Sequence, residues 1–400
     1  MPNLKKILSL FSFMMICVCA TPSMAEPFTV TLSANGQSRT YTYTSVDDAV
    51  NSVSNRSLRE LLPSYTSTSP ATAQFDLRGL PATVTYPTSG TTLVLNVPSI
   101  GLTRTFTGAT RDASEDQLED FFKGQEGTDA LKQILQELAS STPLDPVAGN
   151  PNSLLSRMGD ADFARGTDAR EGFSASAYQN RNDVGFGVDT GWFSNDVADQ
   201  QVTTATFSYA RHMSDHNASF LFDMPLTYID SDGAEAYSIS TGFGLRLPVN
   251  SQWALTPMVR VGALGSPDLG AAAIIYSGNL VSDFRVPLSK NNEFQLGNMV
   301  GYAKTDGVTI GNYDINYDLG NVRLKNGIAL NHHFETTPII GKVYFNDSRF
   351  MGDNLYNEYY EEIGASIIRP FGKDNSAELG ASYLFADNYD GIRLNLNVHF

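Results

Sequence analysis

Four hundred residues carry 27 basic and 43 acidic side chains, a net charge of −16. A balance this acidic argues against nucleic acid as a partner, since phosphate binding needs a basic face. After the first 25 residues, no stretch reaches the roughly 18 consecutive apolar residues that a spanning helix needs.

Lys5 and Lys6 precede an apolar run from Ile7 to Ala20, and Ser23-Met24-Ala25 then puts small residues at both cleavage positions. That order reads as a secretory signal peptide over residues 1–25, with the mature chain starting at Glu26. Cys17 and Cys19 lack the small-residue box of lipoprotein processing, and both leave with the signal. Disulfides and thiol chemistry are therefore not expected in the mature chain. Two lysines leave as well, which takes the net charge to −18.

Residues 26–140 read as a small soluble α+β domain. Asn35-Gly36 lies between strands at Phe28 to Thr31 and Arg39 to Thr44, a turn pair that tolerates positive φ. Val46, Ala49, Val50 and Val53 recur at helical spacing behind Ser45 as a cap. Strands are expected at Ala82 to Tyr86, Thr92 to Val97 and Leu102 to Thr107. Ser114 with Gln117 reads as the capping box of a short acidic helix. Leu131, Ile134, Leu135 and Leu138 stripe a second helix after Thr128. Residues 141–182 form a linker through Pro143, Pro146 and Pro151, with a possible helix from Ser153 to Ala164 that lies either in a lumen or in the periplasm.

From Asp183 the pattern becomes twelve alternating strands to the carboxyl terminus, with a thirteenth conceivable at 172–180. Short polar turns occur at Ser214-Asp215-His216, Asn250-Ser251, Ser289 to Asn292, Glu335 to Thr337 and Gly372 to Asn375. The intervening loops include a long one from Lys304 to Asn321. The chain closes on Asp390 to Phe400, DGIRLNLNVHF, in which Ile392, Leu394, Leu396, Val398 and Phe400 share one face. This tail resembles the terminal strand of bacterial outer-membrane β-barrels. The resemblance implies that the barrel assembly machinery reads Leu394, Leu396, Val398 and Phe400 as an assembly signal. The expected fold is thus an all-β membrane barrel of about twelve antiparallel strands with a small N-terminal α+β domain, in contact with outer-membrane lipid.

Counting back from Phe400 turns Val184, Phe186, Val188, Trp192, Phe220, Tyr237, Ile239 and Leu379 towards lipid. Trp192, Tyr228, Trp253, Tyr276, Tyr302 and Phe371 sit near strand ends as aromatic girdles. The opposite face is a charged lumen and a candidate solute path: Arg246, Arg260, Arg285, Arg323, Lys325 and Lys342, against Asp223, Asp283 and Glu293. Asp189, Glu362 and Glu378 face the same way. Such charges either line a water-filled pore or pair and close it. Asn298 and Asn326 fall on the lipid face. They bond to each other, mark a protein contact, or reveal a bulge that shifts the register, and the bulge is the reading preferred.

No catalytic constellation stands out. His332-His333 have no serine beside them, no Gly-x-Ser-x-Gly elbow occurs, and no metal-ligand cluster or cofactor motif is visible. The acidic Asp230 to Asp232 loop is read as solvated charge, with calcium binding as the alternative. A signal peptide, an N-terminal domain, a possible helix and a twelve-stranded carboxyl-terminal barrel resemble the autotransporter layout. That resemblance implies a barrel anchoring an N-terminal domain, either on the surface or in the periplasm. The alternative is a porin-like channel for small polar solutes that the N-terminal domain gates or serves.

Overall fold

A computed structural model describes residues 27–125, 127–168, 181–213, 218–310, 313–371 and 375–400. The signal peptide, the conceivable strand at 172–180, the turn at Ser214-Asp215-His216 and residues 372–374 of the turn at Gly372 to Asn375 lie outside the described residues. The amino-terminal hairpin joins β1 (Phe28–Ala34) to β2 (Gln37–Tyr43). Asn35 and Gly36 take φ of 49° and 76°, the two positive values a two-residue turn of this hand requires. Next come α1 (Val46–Asn51), α2 (Asn55–Leu61), β3 (Ala71–Leu77), β4 (Leu80–Tyr86), β5 (Leu93–Val97) and β6 (Leu102–Phe106). The strands make one antiparallel sheet in the order β2-β1-β3-β4-β5-β6. Helices α3 (Arg111–Phe122) and α4 (Thr128–Ser141) follow, and the Leu131, Ile134, Leu135 and Leu138 stripe is buried in the common core.

Two elements escape the periodicity reading. β3 buries Ala71, Ala73, Phe75 and Leu77, but the first two are too small to mark a strand, and α2 is a single short run. The capping box at Ser114 and Gln117 is not formed. Thr110 caps α3 by accepting from the Ala113 amide, one turn earlier. Ser114 accepts instead from the Gly108 amide at 2.8 Å, and Gln117 accepts from the Thr107 amide at 3.0 Å.

Helix α5 (Leu154–Gly166) is capped by Ser153 and precedes the barrel. The barrel strands run β7 (Arg181–Asn195), β8 (Gln200–Met213), β9 (Ala218–Ser231), β10 (Ala234–Pro248), β11 (Trp253–Ser266), β12 (Ala271–Pro287) and β13 (Asn292–Asp306). A loop hairpin of β14 (Val308–Ile310) and β15 (Tyr313–Ile315) intervenes. The wall resumes with β16 (Gly320–His333), β17 (Ile340–Gly352), β18 (Tyr359–Phe371), β19 (Asn375–Ala386) and β20 (Tyr389–His399). Twelve strands close into a barrel when β20 pairs with β7, and Phe400 exchanges backbone hydrogen bonds of 2.9 and 3.0 Å with Val184. Closure leaves no sheet edge, which a bilayer demands of any spanning strand.

Side chains sort by face as the alternation requires. Phe186 is 55% exposed on the outside and Ile363 likewise, whereas Arg246 and Asp283 on the inside are fully buried. The carboxyl-terminal Leu394 and Phe400 are exposed outward, and Leu396 and Val398 lie on the same face. A closed barrel with an apolar, aromatic-rimmed exterior and a charged interior is built to span a membrane.

The ends of the barrel differ less in loop length than expected. At the end away from Phe400, two connections are the tightest possible, Asp232-Gly233 and Asp387-Asn388, beside the one long loop of residues 307–319. What distinguishes that end is its cover. The sheet domain sits on it: the Val46 amide donates to Asp268 O at 2.8 Å, the Asp314 amide to Lys123 O at 2.7 Å and the Tyr356 amide to Ala139 O at 3.0 Å. One hydrophobic cluster runs from Phe28, Leu131 and Leu135 into the barrel mouth at Leu264, Leu269, Tyr317 and Tyr389. Residues 142–153, with the prolines of a linker, are buried throughout. Asp145 there accepts from Arg78 at 3.2 Å and from Tyr317 at 2.9 Å.

Candidate functional site: the lumen and its helix

Helix α5 lies inside the barrel against β10 to β13. Its sequence mixes Leu154, Leu155, Met158 and Phe163 with Arg157, Asp160, Asp162 and Arg165. No single stripe separates those classes, because the surroundings are a polar wall with one apolar patch. That patch is Met258, Val281 and Met299, against which Phe163 packs. The ring fits because the wall is glycine at two places: a Cβ on Gly297 or on Gly327 would come within 2.8 Å of it.

Each charge on α5 meets a partner from the wall. Asp162 accepts from Arg260 Nε at 2.8 Å and from Asn279 Nδ2 at 2.5 Å. Arg260 in turn donates to both oxygens of Asp223 at 2.8 and 2.7 Å. Asp160 accepts from Lys325 at 2.5 Å and from the Tyr360 hydroxyl at 2.7 Å. Arg157 donates to Thr204 and faces Asp189 at 3.6 Å. Arg323 donates to Leu155 O at 2.6 Å.

The last carbonyls of a helix have no partners within it and carry the negative end of its dipole. Here the wall supplies cations and an amide. Arg246 donates to Gly166 O at 2.6 Å, Gln295 to Thr167 O at 2.7 Å, and Arg285 to Asp168 O at 2.6 Å. Asp283 balances the two arginines, at 2.7 Å from Arg246 and 2.6 Å from Arg285.

Seven of the nine lumen residues named from sequence thus gather around α5: Arg246, Arg260, Arg285, Arg323 and Lys325 touch the helix or its final carbonyls, and Asp223 and Asp283 hold those arginines. The other two stand apart. Lys342 lies over the Tyr344 ring at 5.5 Å, and Glu293 accepts from Asn331 at 3.1 Å nearer the carboxyl-terminal end. Sequence reading missed Asp160 and Asp162, whose signal was two carboxylates set between the apolar residues Met158 and Phe163 of a helical run. It also missed Gln295 and Asn279, uncharged members of the inward face.

Beyond the helix, towards β17–β20 and β7, the lumen keeps a cavity of about 370 Å³. Lys342, Glu362, Glu378, Arg393, Asn395 and Asp189 line it. Among the described residues no cluster of potential metal ligands occurs.

No family model matches the chain, and no curated protein does. Among solved structures, it is similar to the translocator domain of the autotransporter NalP from Neisseria meningitidis, at 13% identity and a TM-score of 0.46 over 62% of this chain and 95% of that one. The beta domain of the Bordetella autotransporter BrkA gives 13% identity and a TM-score of 0.44 over 55% and 98%. The NanC porin gives 11% and 0.38 over 54% and 98%.

Proposed function

We propose that this outer-membrane barrel anchors its own amino-terminal sheet domain on the cell surface, threaded through the lumen by α5. The observation that carries the reading is the path of the chain. The sheet domain covers one mouth, residues 142–153 enter there, α5 descends, and β7 starts beside Phe400 at the opposite end. The even strand count puts both barrel termini on one side, and the periplasm is the side from which a single-chain barrel inserts both. The covered mouth then faces outwards. In this reading Leu394, Leu396, Val398 and Phe400 present an outward-facing assembly signal to the barrel assembly machinery, and the lumen charges serve to hold α5.

A second reading draws on the cavity of about 370 Å³ beside the helix, a polar space in which small solutes or ions move while the sheet domain gates the outer mouth. Planar-bilayer conductance separates the two. An anchor gives little conductance as the full chain and a large, stable conductance once residues 154–166 are deleted. A high conductance from the intact protein, unchanged by that deletion, favours the channel.

A further inference from the structure

Among the described residues, the lipid-facing belt carries one row of polar side chains across neighbouring strands. Asn298 on β13 and Asn326 on β16 stand directly opposite one another, and the Asn298 amide donates to the Asn326 carbonyl oxygen at 2.8 Å. No bulge shifts the register. Each amide is bracketed on its own strand by lipid-facing apolar residues, Leu296 and Val300 around the first, Leu324 and Ile328 around the second. Both therefore lie within the hydrocarbon band and not at its rim. The same row continues to Asp347 on β17, opposite Asn326, whose carboxylate is held by Arg349 at 2.9 Å. The row ends at Glu361 on β18, opposite Asp347. Apart from Arg369 near Phe371, the other outward positions of the described residues between the aromatic rims are apolar or carry a hydroxyl.

Hydrocarbon offers no water to an amide, so polar groups at this depth are retained where something satisfies them. One internal bond leaves the Asn298 carbonyl oxygen and the Asn326 amide hydrogens without a partner. One free acceptor beside one free donor is a self-complementary pair. A two-fold axis along the membrane normal brings the Asn298 oxygen of one copy to the Asn326 amide of the other, and the reverse, closing a four-amide ring. We propose that the β13–β16–β17 wall is the dimer interface of this protein in the membrane, and that its occupant is a second copy of the same chain.

Cysteine cross-linking in native outer membranes, before any detergent, tests this. Residues 27–400 contain no cysteine, so single sites report cleanly. Val300→Cys lies beside the amide pair and Val188→Cys on the opposite wall, each about half exposed. A short bis-maleimide should join Val300→Cys into a species of twice the mass and leave Val188→Cys monomeric. Adding Asn298→Leu and Asn326→Leu, which suit lipid, should cut the Val300→Cys product at least tenfold while the barrel stays heat-modifiable. The proposal is overturned if Val300→Cys cross-links no better than Val188→Cys, if its product contains a different protein, or if the leucine pair leaves the yield unchanged. Should the leucine pair fail to assemble, the contrast between the two single-cysteine sites decides alone.

Discussion

Arg260 holds two carboxylates, Asp162 from the helix and Asp223 from the wall, and all three side chains are buried. Removing the guanidinium leaves two buried negative charges facing each other, and breaking a buried pair in that way costs about 3–5 kcal/mol. Arg260→Leu should therefore unfold at clearly lower temperature in a heat-modifiability series. The triple variant with Asp162→Leu and Asp223→Leu should recover most of the loss, since an apolar replacement of similar volume needs no counter-charge. Glu115 gives a second test, in the sheet domain. Burial, with Asp116, Glu119 and Asp112 nearby, pushes its carboxyl from the ordinary 4.5 up to about 7. The folded state then binds this proton more tightly than the unfolded chain. Its stabilisation is complete below pH 4.5 and lost as pH rises through 7, on the order of 3 kcal/mol in all. Glu115→Gln should flatten that part of the stability curve between pH 5 and 8. At this scale the sequence was legible as to side and silent as to partner. Alternation placed Arg246, Arg260 and Lys325 inside, because period two leaves only two faces. Asp162 is 98 residues from Arg260, and no local pattern encodes that pairing.

Helix α5 owes its place to the wall more than to its own pattern. Ser153 and the mixed run behind it announced a helix; Gly297, Gly327 and the three side chains that donate to the carbonyls at its end determine where it lies. Filling the seat should unseat the helix. Gly327→Leu drives a side chain into Phe163, and overpacking of this kind costs about 1–3 kcal/mol. In the bilayer recording, Gly327→Leu should open the lumen part-way towards the deletion of residues 154–166. Gly278→Ala, whose added carbon meets nothing within 4 Å, should leave it closed. The barrel strands were the most legible elements, since each is long and half-lipid. β3 and the true cap of α3 were not: alanine hides an inward face, and threonine three residues before Ala113 competes with a better-looking serine.

For the whole molecule, the twelve strands, the closing β20–β7 pair and the two-part layout follow from patterns in the chain. The position of the sheet domain does not, because it depends on which mouth residues 142–153 enter. Loop length was a poor guide, with two-residue turns at the covered mouth. Burial was the better one, since Asp145, Arg78 and Tyr317 fix the domain to the barrel from inside a continuous core. The most direct test of surface display is labelling of intact cells with a membrane-impermeant maleimide. Ser89→Cys sits on an exposed turn of the sheet domain and Lys290→Cys on an exposed turn at the Phe400 end. Display requires Ser89→Cys to label on intact cells and Lys290→Cys only after the outer membrane is permeabilised. Labelling of Lys290→Cys on intact cells, with Ser89→Cys protected until permeabilisation, would contradict it.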